Sequence, residues 1–374
     1  MAKINISLVG KQTYPVFAQL IDGQPERVVL VCSAQTKGEA DRVRRALGSK
    51  CPTMAVATQQ LGTTNHSAVL ADIRAMADVH CKPGNEVTVN LVGGTKLWSL
   101  WFHQAFAHRA RCVIIDQNNK VLDVDTLESH RFDSSVITLD DIMGLAGVRI
   151  SRKTPLSHYT PADIALISQI EEMRRINQRA FLDLTLDPPG GLPTLSRSRG
   201  CLLHYDKSAC TVTAQMANQR QTFTKQFTLR APHVAELLVN HGWFELKVGR
   251  LLAGWKQARQ VWLGLEVMPA QGGPTLNEFD VIIETTGSKW VFVECKTQVY
   301  SSPDIDKFSE VSRRYGGMGS KVIFITDVPM KALAAEKCRQ ARIPHYDMQA
   351  ISRNAAATTA FYNQLDSYTS EINA

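Results

Sequence analysis

The stretch NEFDVIIETTGSKWVFVECKTQ, residues 277–298, decides the fold of the C-terminal part of the chain. It contains two alternating, β-branched runs on either side of the turn residues Thr286-Gly287-Ser288, and this pattern predicts a β-hairpin. Because successive side chains of a strand point to opposite faces, Glu294 and Lys296 share one face of the second strand. Asp280, on the first strand, can lie beside them if the register of the hairpin permits.

Two carboxylates and one ammonium group in a small volume suggest a metal site. Asp280 and Glu294 repel each other unless a cation lies between them. Oxygen ligands favour Mg²⁺ or Mn²⁺ over Zn²⁺. Such an ion polarises a phosphoryl oxygen and lowers the pKa of a bound water, while Lys296 can orient that water or neutralise charge on phosphorus. We therefore predict hydrolysis of a phosphodiester, with these three residues as catalytic and the two carboxylates as metal ligands.

The alternative is an exposed hairpin whose Glu-x-Lys sequence is only a solvated charge pair. Here the pair interrupts the apolar strand KWVFVECKT and an aspartate lies on the preceding strand, which favours the catalytic interpretation. The segment resembles the PD-(D/E)XK nuclease superfamily, with Asp280, Glu294 and Lys296 as its D…ExK residues. It departs from the pattern because no proline directly precedes Asp280. The resemblance implies a restriction-endonuclease-like α/β domain.

Length and composition are those of an ordinary globular protein with two or three domains: 374 residues, 44% hydrophobic and 21% charged. The start of the chain lacks the pattern of a signal peptide, and no apolar run approaches the ~20 residues that span a bilayer. We therefore expect a cytoplasmic protein without a membrane partner. The cysteines are scattered and the histidines lack the spacing of metal ligands, so free thiols and no zinc site are expected.

The positive charge is concentrated in the middle of the chain. Residues 151–235 carry 11 basic and 6 acidic side chains, an excess of +5 within a total of +7. A polyanion could bind this segment, and a merely solvated basic face explains the charge equally well. The basic residues include Arg174, Arg175, Arg179, Arg197, Arg199, Arg220, Lys225 and Arg230.

The N-terminal part of the chain alternates short apolar runs with helical stretches. This order predicts a parallel sheet flanked by helices, a Rossmann-like domain whose ligands bind at the carboxyl ends of the strands. The candidate strands are Ile4–Val9, Val28–Cys32, Met54–Ala57, Val87–Leu91 and Cys112–Ile115, and the candidate helices are Lys37–Leu47, His66–Val79 and Lys96–His108.

Two loops that follow predicted strands are candidates for ligand binding: Gly10-Lys11-Gln12 and Gly93-Gly94-Thr95-Lys96. In the second loop, paired glycines let backbone amides approach an anion, and Thr95 can cap a helix whose amino end, near Lys96, favours negative charge. A tight turn with a solvated lysine is the alternative. Neither loop is a Walker A sequence, and the first strand lacks G-x-G-x-x-G, so a nicotinamide cofactor is not expected.

The sequence VTVNLVGGTKLWSLW, residues 87–101, resembles the CARF family, the cyclic-oligoadenylate sensors of type III CRISPR systems. The matching residues are Asn90, Gly93, Gly94, Thr95 and Lys96. Together with a downstream D…ExK site, the motif resembles the CARF nucleases that cyclic tetra-adenylate activates. The resemblance implies a homodimer that holds one cyclic ligand, with its phosphates near Lys11 and Lys96. It also implies metal-dependent cleavage of DNA or RNA, either single-stranded or nicked duplex, in antiviral defence.

We expect a sensor domain over residues 1–145, a connecting helix and linker over 146–200, and the nuclease domain over 201–374. An amphipathic helix is predicted at Pro161–Leu184 within the connection.

The nuclease domain opens with a predicted helix, Ala231–Trp255, that is broken near His241-Gly242. It carries Glu245, a further catalytic candidate that would position a second cation, and Glu236, a weaker one. An ordinary exposed helical glutamate is the alternative for Glu245.

After the hairpin we predict the helix Asp304–Tyr315, the turn Gly316–Gly319 and the strand Lys321–Thr326. Arg313 and Arg314 of this helix could contact substrate phosphates. A solvated helix end, favoured by the helix dipole, is the better explanation for at least one of them.

Other functions are consistent with the same residues. A ligand-independent restriction- or repair-type nuclease would keep the catalytic residues and need no sensor. A non-catalytic nucleotide-sensing regulator would keep the first domain and bind nucleic acid without cutting it. A third possibility is that the sensor itself cleaves its cyclic ligand, although the N-terminal domain shows no clear acid–base pair.

Overall fold

Three β-sheets organise the protein. The computed structural model describes residues 2–116, 120–185, 192–286, 289–297, 303–315 and 320–370. Within these ranges, the strands form sheets of seven, four and six strands in chain order. The predicted turn residues Gly287 and Ser288 and the predicted turn Gly316–Gly319 lie outside the described residues. Every helix in the described part of the chain is too short or too polar to span a bilayer.

The N-terminal domain is a Rossmann-like sheet with strand order β3-β2-β1-β4-β5-β6-β7. Its first five strands are parallel, as predicted, and β6 and β7 extend the sheet antiparallel. The elements are β1 (Ala2–Leu8), α1 (Tyr14–Gly23), β2 (Arg27–Cys32), α2 (Lys37–Lys50), β3 (Ala55–Gln60), α3 (His66–His80), β4 (Asn85–Asn90), α4 (Lys96–Phe106), β5 (Arg111–Ile115), β6 (Lys120–Asp123), β7 (Ser129–Arg131) and α5 (Leu139–Leu145).

Helix α1 was not among the predicted elements. All residues from Tyr14 to Ile21 are buried, so the helix has no polar face over these two turns. Without that face the sequence lacks the 3.6-residue alternation by which amphipathic helices are detected.

The middle of the chain contributes one strand to the C-terminal sheet and a small sheet of its own. The elements are β8 (Val148–Pro155), α6 (Pro161–Ile176), α7 (Gln178–Thr185), β9 (Leu195–Ser198), β10 (Cys201–Asp206), β11 (Thr211–Ala217) and β12 (Thr224–Arg230). Strands β9 to β12 form an antiparallel sheet. Strand β8 lies in the range predicted as a connection, yet it pairs at the edge of the six-stranded sheet.

The prediction of a single helix at Pro161–Leu184 is wrong, because Asn177 divides this range into α6 and α7. The side chain of Asn177 accepts a hydrogen bond from the Ala180 amide at 3.1 Å and donates one to the Ala217 carbonyl at 2.9 Å. Asn177 therefore caps the second helix and attaches it to the four-stranded sheet, a tertiary contact that helical periodicity does not encode.

The C-terminal domain is built on a mixed sheet with strand order β17-β16-β15-β14-β13-β8. The predicted hairpin is confirmed as β14 and β15. Its elements are α8 (Val234–Leu238), α9 (Gly242–Ala253), β13 (Ala258–Pro269), β14 (Asn277–Thr285), β15 (Trp290–Lys296), α10 (Pro303–Tyr315), β16 (Ser320–Thr326), α11 (Ala332–Gln340), β17 (His345–Asp347), α12 (Met348–Ile351) and α13 (Ala355–Ser370).

Both faces of the hairpin are buried, each in a different hydrophobic core. Val281 and Val293 pack with α6, α7, α9 and the small sheet. Ile282 and Phe292 belong to a second core that also contains Leu20 and other residues of the N-terminal domain. This second core therefore runs continuously through both domains.

Candidate active site and ligand-binding loops

The register of the hairpin brings the three predicted catalytic residues together. Val281 of β14 lies opposite Val293 of β15, so the adjacent residues Asp280 and Glu294 are neighbours across the hairpin. Nζ of Lys296 lies 2.7 Å from Oε1 of Glu294 and 3.9 Å from Oδ2 of Asp280. The predicted proximity of these side chains is confirmed, while their catalytic roles stay a prediction.

A hydrogen bond from a backbone amide holds the side chain of Asp280 in place. Its Oδ2 atom accepts from the amide of Cys295 at 2.6 Å, across the hairpin. The carboxylate is therefore fixed by the strand that carries Glu294 and Lys296. A shift of one strand against the other would move Asp280 away from Glu294 and Lys296.

Asp280 and Lys296 border a cavity of about 450 Å³ between the hairpin and helices α7 and α9, whereas Glu294 is not among its lining residues. Glu245, Glu278 and Asp280 line it, together with Lys296. Glu245 therefore lies where the sequence analysis expected a further acidic residue. Glu278 was missed, although it lies two positions before Asp280 on the same strand and strand alternation could have indicated it.

The carboxyl groups of this cavity are crowded. Burial, followed by the charge of Glu294, raises the pKa of Asp280 to about 7. Burial, followed by Asp280 and Glu278, also raises the pKa of Glu245 well above its usual range. Burial opposes the charge on Lys296, but Asp280 and Glu294 more than offset it and raise the pKa of this ammonium group.

This set of groups fits a hard divalent cation. Asp280, Glu245 and Glu278 lie around one cavity, where burial and neighbouring carboxylates disfavour the ionised forms of Asp280 and Glu245. A cation with oxygen ligands relieves that repulsion and restores the ionised carboxylates. Mn²⁺ and Mg²⁺ both meet this description.

His241 also lines the cavity, at the start of α9. It adopts a left-handed backbone conformation with φ 65°, which ends the preceding helical turn and confirms the predicted break. Burial, with Arg174 and Lys296, lowers the pKa of its imidazole. Its Nδ1 atom is buried without a hydrogen-bond partner among the described residues. His241 is thus a neutral polar group at the cavity wall, and the sequence indicated only its helix-breaking role.

Three other candidates of the sequence analysis do not line the cavity or have side chains outside the described residues. Glu236, the weaker acidic candidate, is not in the cavity, and its Oε1 atom accepts a hydrogen bond from the hydroxyl group of Tyr159 at 2.6 Å. Arg314 is exposed and lies over the ring of Tyr315. The side chain of Arg313 lies outside the described residues.

The basic middle segment is less available to a polyanion than its composition suggests. Arg174 is buried and pairs with Asp327, so it is not part of an exposed basic face. Arg199 pairs with Asp183, and Lys225 with Glu172.

The two candidate ligand loops meet at the carboxyl edge of the N-terminal sheet. Strands β1 and β4 are adjacent and parallel, so the loops that follow them are neighbours. A β-carbon added to Gly93 would lie 1.9 Å from the carbonyl oxygen of Leu8, and one added to Gly10 would lie 3.2 Å from the amide of Gly94. Gly94 has φ +75°. The glycines are therefore required for the close approach of the two backbones.

Polar groups of these loops face the outside of the sheet edge. Lys11, Gln12 and Lys96 are exposed. Thr95 accepts a hydrogen bond from the amide of Trp98 at 3.2 Å and caps α4, as predicted. The buried Asn90 shapes the turn by accepting from the amide of Val92 at 3.1 Å.

All eight cysteines lie in the described ranges and are free, as expected. One group of potential metal ligands was not anticipated: His103, Cys112 and Asp125 each place a ligand atom within 4.8 Å of the others. Nε2 of His103 and Oδ1 of Asp125 lie 2.8 Å apart and already pair with each other, so two of the three ligand groups have a partner. Burial raises the pKa of the Cys112 thiol to about 12, which keeps it protonated.

Residues 4–141 match the family model of the Card1 CARF domain. The N-terminal domain is a CARF domain. The match covers both ligand loops and the parallel sheet that carries them. No curated protein is significantly similar to the chain.

Solved structures share the fold of the whole chain. Can2 from Sulfobacillus thermosulfidooxidans, in complex with cyclic tetra-adenylate, has a TM-score of 0.69 and 17% identity over 99% of this chain and 100% of that chain. Protein VC1899 from Vibrio cholerae has a TM-score of 0.71 and 13% identity over 99% of both chains. A type III CRISPR defence DNA nuclease activated by cyclic oligoadenylate has a TM-score of 0.54 and 17% identity over 95% of this chain and 52% of that chain.

These likenesses establish the fold beyond the CARF domain. The protein combines an N-terminal Rossmann-like CARF domain with a C-terminal α/β domain built on a mixed six-stranded sheet. That the second domain is restriction-endonuclease-like stays a prediction.

Proposed function

We propose that the protein is a metal-dependent nuclease that a cyclic oligoadenylate, with cyclic tetra-adenylate the first candidate, activates in type III CRISPR defence. The observation that carries the proposal is the cluster of Asp280, Glu294 and Lys296 in a chain that begins with a CARF domain. The full-length likeness to Can2 bound to cyclic tetra-adenylate supports the choice of activator.

Asp280 and Glu294 are the proposed metal ligands, and Glu245 the group that positions a second cation. A bound Mn²⁺ or Mg²⁺ would polarise the scissile phosphate and lower the pKa of a nearby water. Lys296 stays protonated beside the two carboxylates and can orient the water or neutralise charge that develops on phosphorus. The cavity between the hairpin and α9 would admit the phosphodiester backbone of DNA or RNA.

The exposed sheet edge of the CARF domain is the proposed activator site. Its glycine loops present backbone amides, and Lys11 and Lys96 add two positive charges for ligand phosphates. Next to this edge, Leu97 and Leu100 of α4 are 39% and 66% exposed. Apolar side chains at this position support a homodimer in which two CARF domains hold one ligand. Sedimentation of the purified protein with and without ligand tests this assembly.

The shared core gives a physical route from activator to active site. Ile282 and Phe292 of the hairpin strands belong to the same hydrophobic core as residues of the CARF domain. A ligand shifts such a system only if it binds the active arrangement more tightly than the inactive one. We therefore expect cyclic tetra-adenylate to stabilise the arrangement in which the hairpin site is competent.

The deciding experiment measures cleavage of plasmid, single-stranded DNA and single-stranded RNA by the purified protein with Mn²⁺. Cyclic tri-, tetra- and hexa-adenylate are added in turn, and EDTA serves as the metal-free control. We expect cleavage only when both metal and cyclic tetra-adenylate are present.

The remaining functions are outcomes of this experiment. Equal cleavage without any cyclic nucleotide would identify a ligand-independent nuclease. Nucleic-acid binding without cleavage would identify a regulator. Loss of the cyclic ligand during incubation with protein alone would show that the CARF domain degrades its activator.

A further inference from the structure

A buried arginine from the connecting region reaches the end of the strand that carries the candidate catalytic lysine. Arg174 lies near the end of α6, and its side chain is 10% exposed. Nη1 of Arg174 donates to Oδ2 of Asp327, whose side chain is 9% exposed. These two residues are separated by 153 positions in the chain and form a buried ion pair.

The partners of Arg174 lie at the carboxyl ends of two adjacent parallel strands. Lys296, the last residue of β15, is paired with Thr326, the last residue of β16. Asp327 directly follows β16, and its amide donates to the carbonyl of Lys296 at 3.1 Å. Nη2 of Arg174 donates to the carbonyl of Thr297 at 3.4 Å. Arg174 thus contacts both strand ends, one through a carboxylate and one through a carbonyl.

The third contact of Arg174 is with the helix that carries Glu245. The guanidinium carbon lies 5.8 Å from the ring centroid of Trp243, a fully buried residue of α9. A planar, permanently charged guanidinium suits this combination of ion pair, carbonyl and aromatic ring, whereas a lysine could satisfy only part of it.

We infer that Arg174 is a positioning residue, which holds the ends of β15 and β16 against α9 and so sets the orientation of Lys296. The inference rests on the proposed nuclease function for its consequence on cleavage. Arg174 is buried, is not among the residues that line the cavity and is paired with Asp327, so contact with a substrate phosphate is not the role that we infer for it. Because desolvation offsets much of the attraction within a buried ion pair, the role that we infer for this pair is to fix the arrangement of the strand ends rather than to add stability.

The test compares four variants with the wild-type protein: Arg174→Met, Arg174→Lys, the double variant Arg174→Met/Asp327→Leu, and Arg339→Met. Arg339 is exposed and pairs with Glu336 of its own helix, so its substitution is a matched loss of an arginine ion pair. In the double variant both charges are removed together, which avoids leaving one of them buried and unpaired.

For each variant we measure thermal unfolding and steady-state cleavage with Mn²⁺ and cyclic tetra-adenylate. We also measure hydrogen exchange of the peptides that cover residues 290–297 and 320–327. In the folded double variant, we expect amide exchange at these strand ends to rise at least about tenfold. We also expect kcat to fall at least about tenfold while the KM for nucleic acid changes less than about twofold. Arg174→Lys should give intermediate values, and Arg339→Met should behave as wild type.

A folded double variant with wild-type exchange and wild-type kcat would overturn the inference. So would a parallel loss of melting temperature, kcat and substrate affinity, because that result describes a structural role alone. If the wild-type protein cleaves no nucleic acid, the proposed function fails, and the exchange data then decide the inference: faster exchange supports the positioning role, and unchanged exchange rejects it.

Discussion

The ammonium group of Lys296 and the carboxylate of Glu294 lie two positions apart on one strand, with Nζ 2.7 Å from Oε1. The pair is partly buried, and Lys296 lines an acidic cavity together with Asp280. The two carboxylates raise the pKa of Lys296, and burial raises the pKa of Asp280 to about 7. An exposed charge pair on an ordinary hairpin would not have these properties. The arrangement supports the proposal that this site binds a cation and a phosphodiester.

The first prediction concerns the metal ligands. Glu294→Ala and Asp280→Asn should each reduce Mn²⁺-dependent cleavage by at least about 100-fold, because each removes an oxygen ligand from a preorganised electrostatic site. Neither change should unfold the protein, since each also relieves repulsion between buried carboxylates. Plasmid cleavage and circular dichroism measure the two effects. Glu336→Gln, on the exposed surface, is the control, and full activity in either site variant would reject the mechanism.

The second prediction concerns pH. Because burial and Glu294 raise the pKa of Asp280 to about 7, the metal-free folded state binds more protons than the unfolded state between pH ~4 and 7. Its free energy of unfolding should therefore fall as pH rises through this window. Asp280→Asn should flatten this dependence in a series of thermal melts. A wild-type protein that becomes more stable than the variant between pH 5 and 7 would contradict the assignment.

Metal binding should show the opposite dependence on pH. Mn²⁺ requires ionised carboxylates, so its binding to wild-type protein should release protons and tighten as pH rises towards 7. Calorimetry in buffers of different ionisation enthalpy measures the protons released. In Asp280→Asn the number released should be smaller.

The third prediction concerns the activator site. Lys96→Ala should weaken binding of cyclic tetra-adenylate by about tenfold, because it removes a charged hydrogen-bond donor for phosphate. The maximal cleavage rate at saturating ligand should be unchanged. Lys82→Ala is the matched control, since Lys82 is also exposed but precedes β4 at the opposite edge of the sheet. Wild-type affinity in Lys96→Ala would favour the solvated-lysine interpretation of this loop.

The fourth prediction separates the glycines of that loop from its lysine. A β-carbon at position 93 would lie 1.9 Å from the Leu8 carbonyl oxygen, so Gly93→Ala should reduce the free energy of unfolding by about 3 kcal/mol. Gly48→Ala is the control, because Gly48 lies in α2 and a β-carbon added there would meet nothing within 4 Å. That change should be neutral or stabilise the protein by up to about 1 kcal/mol. Urea unfolding of both variants measures the difference, and equal stability would show that the two loops do not approach as closely as described.

Local sequence was sufficient for the hairpin and for the CARF loops. A side-chain period of two put Glu294 and Lys296 on one face before any tertiary contact was known, and alternating strands and helices indicated the parallel sheet. Gly93, Thr95 and Lys96 follow a strand and begin a helix, so their neighbourhood is encoded within a few residues. In each case the interactions that determine the local structure join residues that are close in sequence.

Only the tertiary structure decided which distant groups join the site. Glu245 enters the cavity and Glu236 does not, although both are helical acids before the same hairpin. Arg174 meets Asp327 across 153 positions, and β8 leaves the connecting segment to pair with β13. These outcomes depend on how helices and sheet edges pack, and the periodicity of a single segment carries no information about the partner that it meets.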